Sequence, residues 1–161
     1  MNTAGGEAEC PFCEIVGRDD PDAREVYRDE FTVAFFPTEP AVLGHTMVIP
    51  RAHVPDIWHL EESQAEHLSV TTLRIAGAIR DSLHPDGLNV IQSNGEAASQ
   101  TVMHVHVHLV PRTTADRIGR IWPPESDFTE AQKDDAWETL RDACRTIGSA
   151  ATPAEPNRPE V

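Results

Sequence analysis

The stretch Gln100–Arg112, QTVMHVHVHLVPR, sets His104, His106 and His108 at alternate positions of an apolar run, with Val105, Val107 and Leu109 in the places after them. A period of two is the signature of a β-strand, whose successive side chains point to opposite faces. The segment therefore reads as a strand with one apolar face and one imidazole face. Residues two apart on a face lie about 6.5–7 Å from each other, so the three rings form a row. Such a row can hold a metal, an anion or a reacting phosphate.

Outward from that strand, HTMVIP (45–50) alternates until Pro50 stops it, and REVYRD (24–29) and FTVAFF (31–36) read as further strands. LNVIQS (88–93) has the look of a buried strand. Between about Glu61 and Leu83, the residues Ala65, Leu68, Thr72, Ile75, Ala76, Ile79 and Leu83 fall on one stripe, which predicts a long amphipathic helix. A second amphipathic helix is expected from about Thr129 to Ile147. CPFC (10–13) reads as a knuckle-like turn followed by a short apolar piece. Strands close in sequence, interrupted by one long helix, predict an α+β fold: a mostly antiparallel sheet with helices on one face, one long and one C-terminal. Residues 1–9 are expected to be a flexible leader, 10–148 the folded domain, and the Ala- and Pro-rich 149–161 a disordered tail.

The chain has 161 residues and a net charge of −14, which argues against a nucleic-acid polymer as partner, because phosphate backbones need basic surface. A small anion held in a local pocket is compatible with that charge. No apolar run approaches the ~20 residues that span a membrane, so no membrane partner is expected. The first nine residues have neither the basic start nor the apolar core of a secretory signal. Three cysteines are too few for a disulfide framework, and the expected compartment is a reducing cytoplasm. Cys144 reads as a small apolar residue without a role.

The pair Cys10-x-x-Cys13 is open to three readings: a redox pair, half of a zinc site, or no role. Zinc requires two further ligands, and His53 and one of the strand histidines are the candidates. For the histidine row, one reading is an imidazole acting as nucleophile toward phosphorus. A neutral imidazole attacks through one nitrogen only when the other carries the proton. A second histidine would then neutralise charge on the phosphate, and a third would be held by structure or metal. The competing reading is iron or copper on all three histidines in an oxidoreductase. The loop NGEAASQ (94–100) leads into the row and is expected to expose backbone N–H groups able to cradle an anion.

Taken together, GHTMVIPRAH (44–53) and NGEAASQTVMHVHVHLVPR (94–112) resemble the HIT (histidine triad) superfamily, whose signature is His-φ-His-φ-His-φ-φ with φ apolar. CPFCEIV (10–16) and IWPP (121–124) bring the resemblance closest to the Hint branch of nucleoside phosphoramidate hydrolases and their bacterial relatives. It covers Cys10 to Pro124. The resemblance implies a HIT-like homodimer acting on a nucleotide of the phosphoramidate or dinucleoside-polyphosphate class, as hydrolase or nucleotidyl transferase. His106 would attack the α-phosphorus and carry a covalent nucleotidyl group. His108, assisted by His45, would stabilise the phosphate charge. Gln100 would orient the phosphate or leaving group, and Thr101 stands where relatives often place a serine that donates to the leaving group. Asn94 would bind phosphate or sugar, and Phe12, Ile15, Phe35 and Phe36 would line the base cleft, with core packing as the alternative use of those side chains. Cys10, Cys13, His53 and His104 would form a closed structural zinc site, one zinc per chain. Trp122 occupies the place from which such relatives reach the partner subunit's site.

One position departs from the pattern. Relatives carry an aspartate for the ribose hydroxyls where this chain has Pro37, with Thr38 and Glu39 next along. The rival function under the same resemblance is a nucleotide-binding or scaffolding protein with little turnover.

Overall fold

The computed structural model describes residues 10–147 except 19, 124 and 126, so the expected leader and the expected tail lie outside the described residues. The chain divides into two compact units between Gly119 and Arg120. The first carries α1 (Pro11–Gly17), β1 (Arg24–Arg28), β2 (Thr32–Phe36), β3 (Thr46–Pro50), α2 (Glu62–Leu83), β4 (Gly87–Gln92) and β5 (Val107–Arg112). The second carries α3 (Glu130–Cys144), closed at its start by a capping box between Thr129 and Gln132. Among the described residues no helix is long and apolar enough to cross a membrane.

The five strands form one antiparallel sheet in the order β1-β2-β3-β5-β4. Strict alternation on the central strands sorts their side chains between two layers. Val33, Phe35, Met47 and Ile49 face α1 and pack with Phe12 and Ile15. Ala34, Val48, Val107 and Leu109 face α2 and pack with Leu68, Ile75 and Ile79. The helices therefore do not share one face, as the sequence reading expected. The long helix covers one side, and a seven-residue helix, read from sequence as a turn, covers part of the other. The helical stripe also differs in one member: Thr71 is buried and bonds Thr32 Oγ1 at 2.8 Å, whereas Leu83 is half exposed.

α1 is too short to hold itself, since isolated helices under ~12–15 residues are marginal. Its last carbonyls are taken by β1: the Arg28 guanidinium donates to Ile15 and Val16 oxygens at 3.0 Å each, while Glu25 pairs with the same side chain at 2.7 Å. The Ile15 carbonyl also accepts from Arg18 N at 3.1 Å, so Arg28 adds a second donor there and supplies one to Val16 at the helix end.

The histidine segment is only partly strand. β5 begins at Val107, so of the three histidines only His108 lies in the ladder. The β3–β5 register pairs Val48 with Val107 and Thr46 with Leu109, which would bring Val105 opposite Pro50. Proline has no N–H to give a ladder bond. The chain leaves the sheet there, and Val105 N donates instead to Val54 O at 2.6 Å.

Gly44, just before β3, has φ +88, and a Cβ there would run into Leu83 Cδ1 and sit 3.2 Å from Pro111 Cγ. Gly44→Ala is expected to destabilise the fold by about 1–3 kcal/mol through left-handed strain and overpacking. Urea unfolding reads this directly, and an unchanged midpoint would contradict it.

Candidate functional site

On the α1 side of the sheet, a cleft of about 460 Å³ is bounded by His45, His106 and His108, by Phe12, Ile15, Phe35 and Phe36, and by Ser99 and Thr101. That volume lies in the range of small-molecule sites, roughly 300–1,000 Å³. Alternation explains why His108 is here: Val107 and Leu109 face α2, so the residue between them faces the other way. His45 enters at the start of β3, and His106 from the irregular segment before β5.

The protons on these rings are assigned by their partners. His106 Nδ1 is 2.8 Å from the His104 carbonyl oxygen. A carbonyl only accepts, so Nδ1 carries the proton and Nε2 keeps a free lone pair. Ala41 N donates to His45 Nδ1 at 3.1 Å, which puts the His45 proton on Nε2. That Nε2 donates to His108 Nδ1 at 2.9 Å, leaving the His108 proton on its own Nε2. Burial pushes His108 down to about 4, with His106 and His45 nearby adding to the effect. Burial also lowers His106 and His45. Near neutral pH the cleft therefore holds one imidazole with a free lone pair and one with an N–H donor.

His104 belongs to a different cluster. Its Nδ1, with Cys10 Sγ, Cys13 Sγ and a ring nitrogen of His53, forms a group whose atoms all lie within 4.8 Å of one another. The S···N separations are 3.3, 3.6 and 3.7 Å. Bonds of about 2.3 Å to sulfur and about 2.0–2.1 Å to nitrogen give tetrahedral S···N edges near 3.5 Å, so the set fits a zinc ion. His104 Nε2 donates to the Pro50 carbonyl at 2.9 Å, which turns the Nδ1 lone pair toward the sulfurs. Burial pushes His104 down to about 4, keeping it in the neutral form a metal requires. Among the described residues this is the one group spaced for a metal, and His106 and His108 are not in it. The single row of three histidines is thus replaced by a division: one ring to the metal set and two to the cleft. A shared iron or copper on all three has no support.

Other expected residues fall in different places. Phe12, Ile15 and Phe35 serve as both core and cleft wall. Phe12 lies edge-on to His106, with centroids 5.2 Å apart, and also edge-on to His104 at 5.9 Å. Pro37, Thr38 and Glu39 line the cleft together. Asn94 and Gln100 do not. Asn94 exchanges hydrogen bonds with Gln92 and accepts from Ile57 N at 2.7 Å. Gln100 is buried, accepts from Gly95 N at 2.7 Å, and donates to Pro55 O at 2.7 Å and Val102 O at 3.0 Å. Nor does the loop offer an amide cradle at Gly95, Ala98, Ser99 or Gln100, whose N–H groups are all bonded within it. Ser99 was missed from sequence, where a small polar loop residue carries no signal. Trp122 is 80% exposed in the second unit.

Residues 18–115 match the HIT domain family. The chain is 39% identical over 119 residues to Protein hit of Bacillus subtilis, spanning 73% of this chain and 81% of that one. It is 30% identical over 118 residues to Adenylylsulfatase HINT3 of Arabidopsis thaliana, spanning 73% and 58%. The structure of a Zn-bound histidine triad family protein from Mycobacterium smegmatis superposes with a TM-score of 0.66 and 34% identity, covering 91% of this chain and all of that one.

A buried imidazole with a folded pKa near 4 binds its proton less tightly than in the unfolded chain, where the value is about 6.5. The unfolded state therefore takes up the proton first, and stability is lost as pH falls from about 6.5 to about 4. His108→Gln is expected to lose less of its melting temperature than wild type between about pH 7 and pH 4.5. Equal losses in the two proteins would remove the burial argument.

Proposed function

Because this chain belongs to the HIT domain family, we propose that it is a nucleotide hydrolase or nucleotidyl transferase in which His106 is the nucleophile. The observation that carries the reading is the bond from His106 Nδ1 to the His104 carbonyl, which leaves Nε2 unprotonated on a residue lining the cleft. In the first step Nε2 attacks the α-phosphorus of a phosphoramidate or dinucleoside-polyphosphate substrate. An N–P bond forms, and the bond to the leaving group breaks with its electron pair going to that group, which takes a proton from solvent. The imidazolium so formed keeps its Nδ1 proton on the His104 carbonyl, a charge-assisted bond stronger than the one in the free protein. His108 Nε2–H donates to a non-bridging oxygen, and His45 holds it in that tautomer. Water then attacks phosphorus and loses a proton to solvent, and the N–P bond breaks with its electron pair returning to Nε2, releasing the nucleoside monophosphate and the neutral ring.

Cys10, Cys13, His53 and His104 hold zinc in this reading. When bound, it supplies a structural cross-link and no reaction chemistry, because four protein ligands leave no open position. The cytoplasm is the compartment in which its thiols stay reduced. The chain is proposed to act as a homodimer through α2 and the edge strand β4. Leu73 and Val90 stand well exposed there beside an apolar groove that also includes Leu60, Leu68 and Ala76. An edge strand with exposed apolar side chains invites a partner.

Two substitutions separate the roles of neighbouring histidines. His106→Ala is expected to lower turnover of adenosine phosphoramidate by at least about 10³-fold while keeping its zinc. His104→Ala is expected to lose the zinc, read by elemental analysis of the purified protein. A wild-type rate in His106→Ala, or zinc retained by His104→Ala, would overturn the corresponding assignment. For the dimer, Leu73→Glu is expected to shift the sedimentation coefficient from that of two chains to that of one. A wild-type value for that variant would send the interface elsewhere.

A further inference from the structure

Three non-glycine residues adopt positive φ: Arg18, His84 and Ser99, at +64, +49 and +68°. Each closes a helical turn, a place where glycine would be cheaper. Arg18 and His84 end α1 and α2 and do not line the cleft. Ser99 does, alongside His106 and His108. Its neighbour Gln100 is buried, with both ends of its amide bonded to the main chain. With Gln100 anchored inward, the residues on either side of it, Ser99 and Thr101, are exposed and line the cleft. Neither hydroxyl has a hydrogen-bond partner among the described residues. The amides of Gly95, Ala98, Ser99 and Gln100 are engaged inside the loop, whereas the Ser99 and Thr101 hydroxyls are free to donate on this wall. Gln100 is thus a positioning residue: its three hydrogen bonds tie the loop to the 55 and 102 backbones and set the direction of its neighbours.

We propose that Ser99 is a specificity-determining residue, whose hydroxyl joins that of Thr101 in donating to acceptor oxygens of the leaving group. This rests on the reading of the cleft as an α-phosphate site with His106 as nucleophile. A leaving group that carries oxyanions, such as a phosphate or polyphosphate, offers several acceptor lone pairs and can occupy both donors at once. An amine offers at most one. The pair therefore favours oxyanionic leaving groups over amines, and the left-handed backbone at Ser99 is tolerated because it sets that hydroxyl in the cleft.

Ser99→Gly separates strain from contact. Glycine suits φ +68, so the variant folds with a melting temperature equal to or above wild type. Its kcat/KM for a diadenosine polyphosphate is expected to fall about 10- to 100-fold, the worth of one hydrogen bond to a charged group. Its kcat/KM for adenosine phosphoramidate is expected to change little. Ser99→Ala, which keeps the strained backbone and loses only the hydroxyl, should show the same selective loss. Equal losses on both substrates, or no loss on either, would overturn the proposal while wild-type turnover left the functional reading standing. Wild-type protein that turned over neither substrate would overturn both.

Discussion

The 2.8 Å hydrogen bond from His106 to the carbonyl of His104 spans only two residues, and the rest of the site is arranged around it. In a regular strand, carbonyls lie in the sheet plane and side chains stand perpendicular to it. A ring cannot then reach the carbonyl two residues back. The bond therefore requires the chain to leave the ladder before Val107, and Pro50 on β3 provides the occasion by offering no N–H opposite Val105. The start of β5 and the His106 tautomer share one cause. A side-chain carboxylate in the same place could change protonation with pH, whereas a carbonyl cannot, so the assignment of the His106 proton is permanent.

The other imidazoles follow the same logic at one remove. A main-chain N–H fixes His45, His45 fixes His108, and the Pro50 carbonyl fixes His104. His104 contributes twice: its carbonyl orients His106, and its ring joins Cys10, Cys13 and His53. Phe12 sits between the two cysteines in sequence and edge-on to both His104 and His106 in space. A metal held by that set would tie α1 to the 104 segment and so fix the wall against which His106 packs. Metal binding of this kind is folding free energy delivered to a particular spot, here the segment that the sheet does not hold.

Much of this was legible in the sequence because it is carried by periodicity. The alternation in HTMVIP and FTVAFF and the stripe on α2 reflect burial on defined faces, and β1 to β4 and the long helix fall within a residue or two of where the pattern puts them. The metal set was legible only in part: the residues themselves left the cysteine pair open to three readings, and the full set, which the structure brings within 4.8 Å, came from the family resemblance. What the pattern could not carry were features fixed by single main-chain groups. The break in the histidine strand depends on a register that brings Pro50 opposite Val105, a pairing between segments more than fifty residues apart. α1 depends on Arg28 taking its carbonyls, and seven residues are too few to show a helical period. Gln100 and Asn94 have the chemistry of ligand-binding amides, but turned inward they serve the loops. On the stripe the sequence pattern selected Thr72 where its neighbour Thr71 is the buried one; the Thr71 hydroxyl is satisfied by Thr32, so its burial costs little.

The charge of the chain bears on how such a cleft can recognise a phosphate at all. The net charge is −14, and among the cleft's lining residues Arg24 is the single Lys or Arg against Asp20, Asp22 and Glu39. Burial keeps His108 neutral, so it does not offset these acids. Long-range attraction is thus of the wrong sign for an anion, and steering cannot raise its association rate. Affinity has to come from contacts made after water leaves: the apolar wall of Phe12, Ile15 and Phe35, and N–H or O–H donors whose bonds to charged oxygen strengthen in a low-dielectric site. A donor in such a site acts only over hydrogen-bond distance. Under the proposed function, discrimination among nucleotides would depend on where each donor points rather than on how much charge the substrate carries, which gives a use to the fixed tautomer at His108 and the left-handed backbone at Ser99.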